Sequence, residues 1–395
     1  MKSLLIVFGC LLATVAAWGT TPQEFEILLK QARKKDADPA AQLRVAQCLE
    51  KGDGVPQDTV RARVWYSNAA SNGSQDAVKV VVGWNKPMKG VPAELPKRKV
   101  LRGAALKSKS LELARLLAEY DREISQSRSE GKKDPKLKWS KILAMLKEGA
   151  DPNMEFPVDE VDSNKSGGKV SAMKYALDWG NDKLGDLFLA NGGSFLLDWR
   201  GAIAATLYAL GRIERQLVPG QKISPELKKR LQKEFKQEEK KLAYLLARGY
   251  DARMVETTGH TQLERAAIHN ASRGIEMLVG AGADVNQTNS PIDNSTGSRA
   301  WDDVDERTAF YAAISNAAPQ AVAALIRLGG RVNFIDKSGL TPLDWALQTI
   351  ESRQKRKMAG HKDVDSAMAE ALERTEQCAE LLKQAGGKTA AELKK

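Results

Sequence analysis

Apolar residues return every three or four positions along most of this chain. In "PAAQLRVAQCLE" (39–50), Leu43, Ala46 and Leu49 keep that spacing, which predicts a helix with one buried face. "SPELKKRLQKEFKQEEKKLAYLLARG" (224–249) carries one apolar stripe through Leu227, Leu231, Phe235 and Leu242, and predicts a long helix. Where the period stops, punctuation appears. Gly52 and Gly54 suit a left-handed helix stop, Pro56 blocks continuation, and Asp58 is a good N-cap for the next helix. That helix carries Val60, Val64, Trp65 and the pair Ala69–Ala70, and ends at Asn72–Gly73. The alanines let a neighbouring helix come close, and Trp65 fills the gap. A phosphate loop is excluded at Gly52–Gly54, because no strand precedes it and no Lys-Ser/Thr follows. "NKPMKGVPAELPKRK" (85–99) has three prolines and no helical period, and reads as a linker.

The first residues stand apart. Lys2 is followed by the apolar run Leu4–Ala17, too short to span a bilayer comfortably, and then by small residues. This predicts a secretory signal (1–19) cleaved near Ala17 or Gly19. Cys10 follows Gly9 as a lipid-accepting cysteine would, but the apolar run continues past it. Cleavage removes Cys10 and takes the net charge from +11 to +10 with the loss of Lys2. Cys48 and Cys378 remain, too few for a disulfide framework, and are expected as small core residues. The expected location is periplasmic or secreted, with no membrane span after cleavage.

The segment 40–77 resembles a Sel-one-like repeat, a relative of the tetratricopeptide repeat, through Ala41, Gly52, Gly54, Val55, Pro56, Asp58, Ala62, Trp65, Tyr66, Ala69, Ala70, Gly73 and Ala77. Helical half-units flank it, so residues 20–84 are expected to form one small module.

Beyond the linker a different ending recurs. "MLKEGADPN" ends at Asn153, "FLANGGSF" at Phe195, "LLARGYDA" at Ala252, "LVGAGADVN" at Asn286, "LIRLGGRVN" at Asn333 and "LLKQAGGKT" at Thr389. Such recurrence signals stacked repeats. These endings, with openings such as "KSGLTPLDWAL" (337–347), "TTGHTQLERAAIHN" (257–270) and "ERTAFYAAISN" (306–316), resemble ankyrin repeats over residues 100–389, about six of them. Extra residues lengthen some helices and enlarge two polar fingers, 155–169 and 287–307. The expected fold class is all-α, a helical-repeat solenoid in which Sel-one-like hairpins precede an irregular ankyrin-repeat stack. No repeat buries its apolar face alone, so neighbours must stack.

The ankyrin resemblance implies a protein partner held by the concave face and the fingers. Carried onto this chain, the contact positions include His260, Arg265 and His269 in one repeat; Asp305 and Arg307 in the next; and Lys337, Leu340, Trp345 and Gln348 in the last clear one. Trp345 leads this set because aromatic and arginine side chains dominate interface energies; otherwise it packs against the lengthened final helices. Trp301, beside the acidic run of the second finger, joins it as an aromatic in a long loop.

Chemistry beyond binding finds little in the sequence. His260, His269 and His361 are the only histidines, no Gly-x-Ser-x-Gly or His-Glu-x-x-His occurs, and no calcium-loop spacing orders the acidic fingers. A noncatalytic scaffold without cofactor or metal is expected. The basic excess lies in runs such as "KKRLQKEFKQEEKK" (228–241) and "RQKRK" (353–357). It makes either a solubilising face or an attraction to anionic envelope polymer, lipid or an acidic partner. An exported chain would rarely meet nucleic acid.

Overall fold

The computed structural model describes residues 20–34, 38–84, 99–165, 167–193, 199–218, 220–255, 260–289, 307–358 and 365–395. The chain divides into two units. The first holds residues 1–81, 254–260 and 290–304, and the second holds 82–253, 261–289 and 305–395.

In the first unit, α1 (Pro22–Ala32), α2 (Pro39–Lys51) and α3 (Thr59–Ser71) pack in sequence, and α4 (Gln75–Gly83) follows. Phe25, Leu29, Val45, Leu49, Trp65 and Ala69 form the core. The glycines are helix punctuation. Gly52 ends α2 at φ +74°, its N–H donating to the Cys48 carbonyl. Gly54 also sits at φ +74°, and a Cβ there would lie 2.6 Å from the Thr20 carbonyl oxygen. Only glycine combines that backbone with that approach. Asp58 then caps α3, accepting from the Arg61 N–H.

Among the described residues, the second unit is a stack of six helical hairpins. Their helices are α5 (Gly103–Ser129) with α6 (Trp139–Lys147), α8 (Ala172–Asp178) with α9 (Asp182–Ala190), and α10 (Trp199–Gln216) with α11 (Pro225–Ala247). There follow α12 (Gln262–Ile268) with α13 (Ser272–Gly280), α14 (Ala309–Ser315) with α15 (Pro319–Arg327), and α16 (Pro342–Met358) with α17 (Asp365–Gln384). A short α18 (Ala390–Leu393) closes the end. From α8 onward, first helices pack on first helices, and from α11 onward second helices pack on second helices. The core runs through the layers as Leu113, Met173, Leu207, Leu263, Phe310 and Leu343, backed by Leu278, Leu325 and Leu382.

The recurring asparagines tie layers together. Asn153 Nδ2 donates to the Gly192 carbonyl (2.8 Å), and Asn286 Oδ1 accepts from the Arg331 N–H (2.7 Å). Asn333 makes both bonds, donating to the Gly386 carbonyl (3.1 Å) and accepting from the Lys388 N–H (2.7 Å). Each reaches the main chain of the closing turn of the next layer.

The first finger departs from the expected polar loop. Phe156–Pro157 (β1) pairs antiparallel with Lys169–Val170 (β2), and one helical turn, α7 (Val158–Val161), lies between them. Phe156, Val161 and Val170 are buried, and these three apolar side chains among acids fold the finger onto the stack. Most of the second finger, including Trp301 and Asp305, lies outside the described residues, as do residues 1–19 and 85–98, where a signal and a linker are expected. Among the described residues no helix is long and apolar enough to cross a membrane.

Candidate interaction site on the first helices of layers 5 and 6

The site begins with a cap. Thr341 precedes Pro342, whose ring suits the first turn of α16. Thr341 Oγ1 accepts from the Asp344 N–H (3.2 Å) while Asp344 Oδ2 accepts from the Thr341 N–H (3.0 Å). The same Oδ2 accepts from the Ala390 N–H (2.8 Å), tying α18 to the start of α16. Burial pushes the Asp344 carboxyl up, but these hydrogen bonds outweigh it and hold the group below its ordinary value. With the first turn pinned, Trp345 is placed towards α14. Its Nε1 donates to Ser315 Oγ (2.9 Å) at the last residue of that helix.

Arg307 completes the arrangement from the layer before. Its backbone is fixed by Asn289, which accepts from the Arg307 N–H (2.8 Å) and donates its own N–H to the Arg307 carbonyl (2.9 Å). Its guanidinium lies 4.1 Å from the Trp345 ring centre and 5.6 Å from that of Tyr311. Nε donates to Asp336 Oδ2 (3.1 Å), a carboxylate whose side chain is fully buried. Asp336 is held in turn by the Leu340 N–H (3.0 Å), across a turn that Gly339 closes at φ +78°. Tyr311 donates to the Phe334 and Leu340 carbonyls, and burial and then the Asp336 carboxylate raise its pKa, so it stays a donor. The result is a half-buried cation stacked on a half-buried indole. Such pairs contribute about 0.5–2 kcal/mol, more as water is removed.

Other positions fall around this pair unequally. Lys337 is exposed in the turn after Asp336, Leu340 is half-buried and serves through its backbone, and Gln348 is exposed one turn beyond Trp345. Arg265 is half-buried on α12. His269 ends α12, its ring 5.3 Å from that of Tyr208 on α10 and edge-on to it. His260 belongs to the first unit, whereas His269 belongs to the second. Trp345 packs against the preceding layer, through Ser315, Tyr311 and Arg307. Sequence reasoning missed Asp336, which reaches Arg307 across 29 positions. Its one local signal is its place three residues before Gly339.

The arrangement can bind, through a flat cation, an indole and exposed amides. Among the described residues no three His, Cys, Asp or Glu side chains converge as a metal site requires. Cys48 and Cys378 are buried free thiols, and burial pushes the Cys378 thiol up to about 12.

Residues 39–74 match the Sel1 repeat family. No match to the chain was found among curated proteins. Among solved structures, a crystal structure of an ankyrin repeat domain from Acinetobacter baumannii AYE is similar, with 18% identity and a TM-score of 0.38, over 70% of this chain and 100% of that one.

Proposed function

We propose that this chain is an exported, noncatalytic adaptor that holds a protein partner on the first helices of layers 5 and 6, with Trp345 and Arg307 as its anchor. The observation that carries this reading is the stacked pair itself. Arg307 is already bonded to Asp336 and Trp345 to Ser315, so both side chains are ordered before any partner arrives. Pre-organisation lowers the entropy lost on binding. Exposed Gln348, Leu347, Ser315 and Asn316 supply the surroundings that such an anchor needs. The Sel1 match at residues 39–74 supports the coarser reading of a protein-binding chain, because repeat modules of this kind generally bind proteins.

A photo-crosslinking amino acid at exposed Gln348, in the full chain in its native host, tests the proposal. A discrete protein adduct that disappears on Trp345→Ala, with Tm unchanged within a few degrees, is expected. No adduct, or one indifferent to that substitution, overturns it. Export rests on the apolar run before residue 18, and N-terminal sequencing of the mature protein tests it. A chain that retains Lys2 sinks that part alone.

A further inference from the structure

Layers 2 and 3 differ in length, and the mismatch opens a cavity. The turn joining α8 to α9 ends level with Lys240 of α11, whose ammonium lies 2.7 Å from Asp182 at the start of α9. The helices of layer 3 continue past that turn. Ala205 and Ala209 on α10 leave space that Ala176 and Leu177 of α8 do not fill, and a cavity of about 230 Å³ remains, with Leu245 also in its wall. Close-packed layers seldom leave voids larger than a water molecule. The charges at the mouth are matched: Lys174 with Asp178 (3.6 Å), Lys240 with Asp182 (2.7 Å) and Lys241 with Glu238 (2.9 Å).

Towards the start of α11 the matching stops. Tyr244, Arg248 and Lys240 mark the side of α11 that faces layer 2, through Asp186 and Asp182. Stepping back from them by three and four residues leads to Lys236, Lys233, Arg230 and Lys229. All four are exposed, and none makes an ion pair among the described residues. Glu234 turns instead to Arg212 of α10. From Lys229 to Lys241 the helix rises about 18 Å at 1.5 Å per residue.

We propose that this surface docks an acidic polypeptide segment of a partner protein. One bulky apolar side chain enters the cavity, and carboxylates along the following ~18 Å of segment pair with Lys236, Lys233, Arg230 and Lys229. The narrow socket beside a row of cations asks for one apolar group joined to a row of anions. A sulfated polysaccharide has the anions without the apolar group. A bilayer offers many chains to a surface that admits one. The site lies three layers from Trp345 and stands without the reading placed there.

Fluorescence anisotropy on the full chain tests it. The probe is a labelled glutamate-rich peptide of about 14 residues with one phenylalanine near its N-terminus, long enough to cover the stretch as a helix. Phe→Ala in the peptide is expected to weaken binding at least about tenfold, because burial of the ring is lost. Changing Lys229, Arg230, Lys233 and Lys236 together to Gln is expected to weaken it at least about tenfold, and added salt to do likewise. Ala209→Leu should reduce the Phe peptide to the level of its Ala counterpart, while the surface variant and the peptide pair test the idea even if Ala209→Leu folds poorly. Absence of binding at millimolar peptide, or equal binding of the Phe and Ala peptides, overturns the proposal. So does tighter binding to anionic phospholipid vesicles or to a sulfated polysaccharide than to the Phe peptide. Trp345→Ala, which leaves this surface intact, should not alter peptide binding, so failure here and failure of the layer 5–6 site can be told apart.

Discussion

Asp344 does two jobs with one oxygen. It completes the cap of α16 and accepts from Ala390 at the start of α18. Asp344→Ala should destabilise the last layer by about 1–2 kcal/mol at neutral pH, the usual size of a lost cap. The pH dependence has a definite sign. Its folded pKa is lowered from 3.8, so its contribution is present above that value and is lost as pH falls through the lower folded value. The Tm gap between the natural protein and Asp344→Ala should therefore shrink below about pH 4. A gap that widens in acid would refute the assignment. Asn333 supplies a second test at this scale. Its two solvent-facing bonds to the next turn predict a loss of about 0.5–1.5 kcal/mol for Asn333→Ala in urea unfolding, the net worth of a bond that water can replace. Neither role is visible in residue identity alone; both depend on a turn about 45 to 55 positions away.

At the scale of the element, helix propensity and packing oppose each other at Gly211. In the interior of α10, alanine would be favoured by about 1 kcal/mol over glycine. Yet a Cβ at Gly211 would lie 1.9 Å from the His269 carbonyl oxygen, on backbone that cannot swing aside as a side chain can. Packing should win, and Gly211→Ala should cost about 1–3 kcal/mol, read as a fall in Tm. Stabilisation would show that α10 and the end of α12 lie farther apart. The same helix pair shows what sequence reading can reach. The stripe Leu231–Leu242 announces α11, and both residues are buried. That Lys240 and Arg248 pair while Lys233 and Lys236 do not follows from where layer 2 ends, which no property of α11 encodes.

For the whole molecule, stacking makes stability local. Each hairpin of the second unit covers its neighbours, so damage should spread through adjacent layers and fade with distance. Leu325, fully buried on α15, is a suitable place to look. Leu325→Ala should cost about 2–5 kcal/mol. Hydrogen exchange should then rise most in α12–α17 and least in α5–α9. Equal loss of protection throughout would mean the unit unfolds as one body rather than as layered repeats.

Apolar spacing and glycine and proline punctuation determined by themselves the helices and their stops, because those properties act between residues a few positions apart. Tertiary structure alone decided the Asp336–Arg307–Trp345 arrangement, the apolar fold of the first finger and the cavity between layers 2 and 3. Those depend on which layer ends where, and on groups separated by tens of residues that only stacking brings within hydrogen-bond reach.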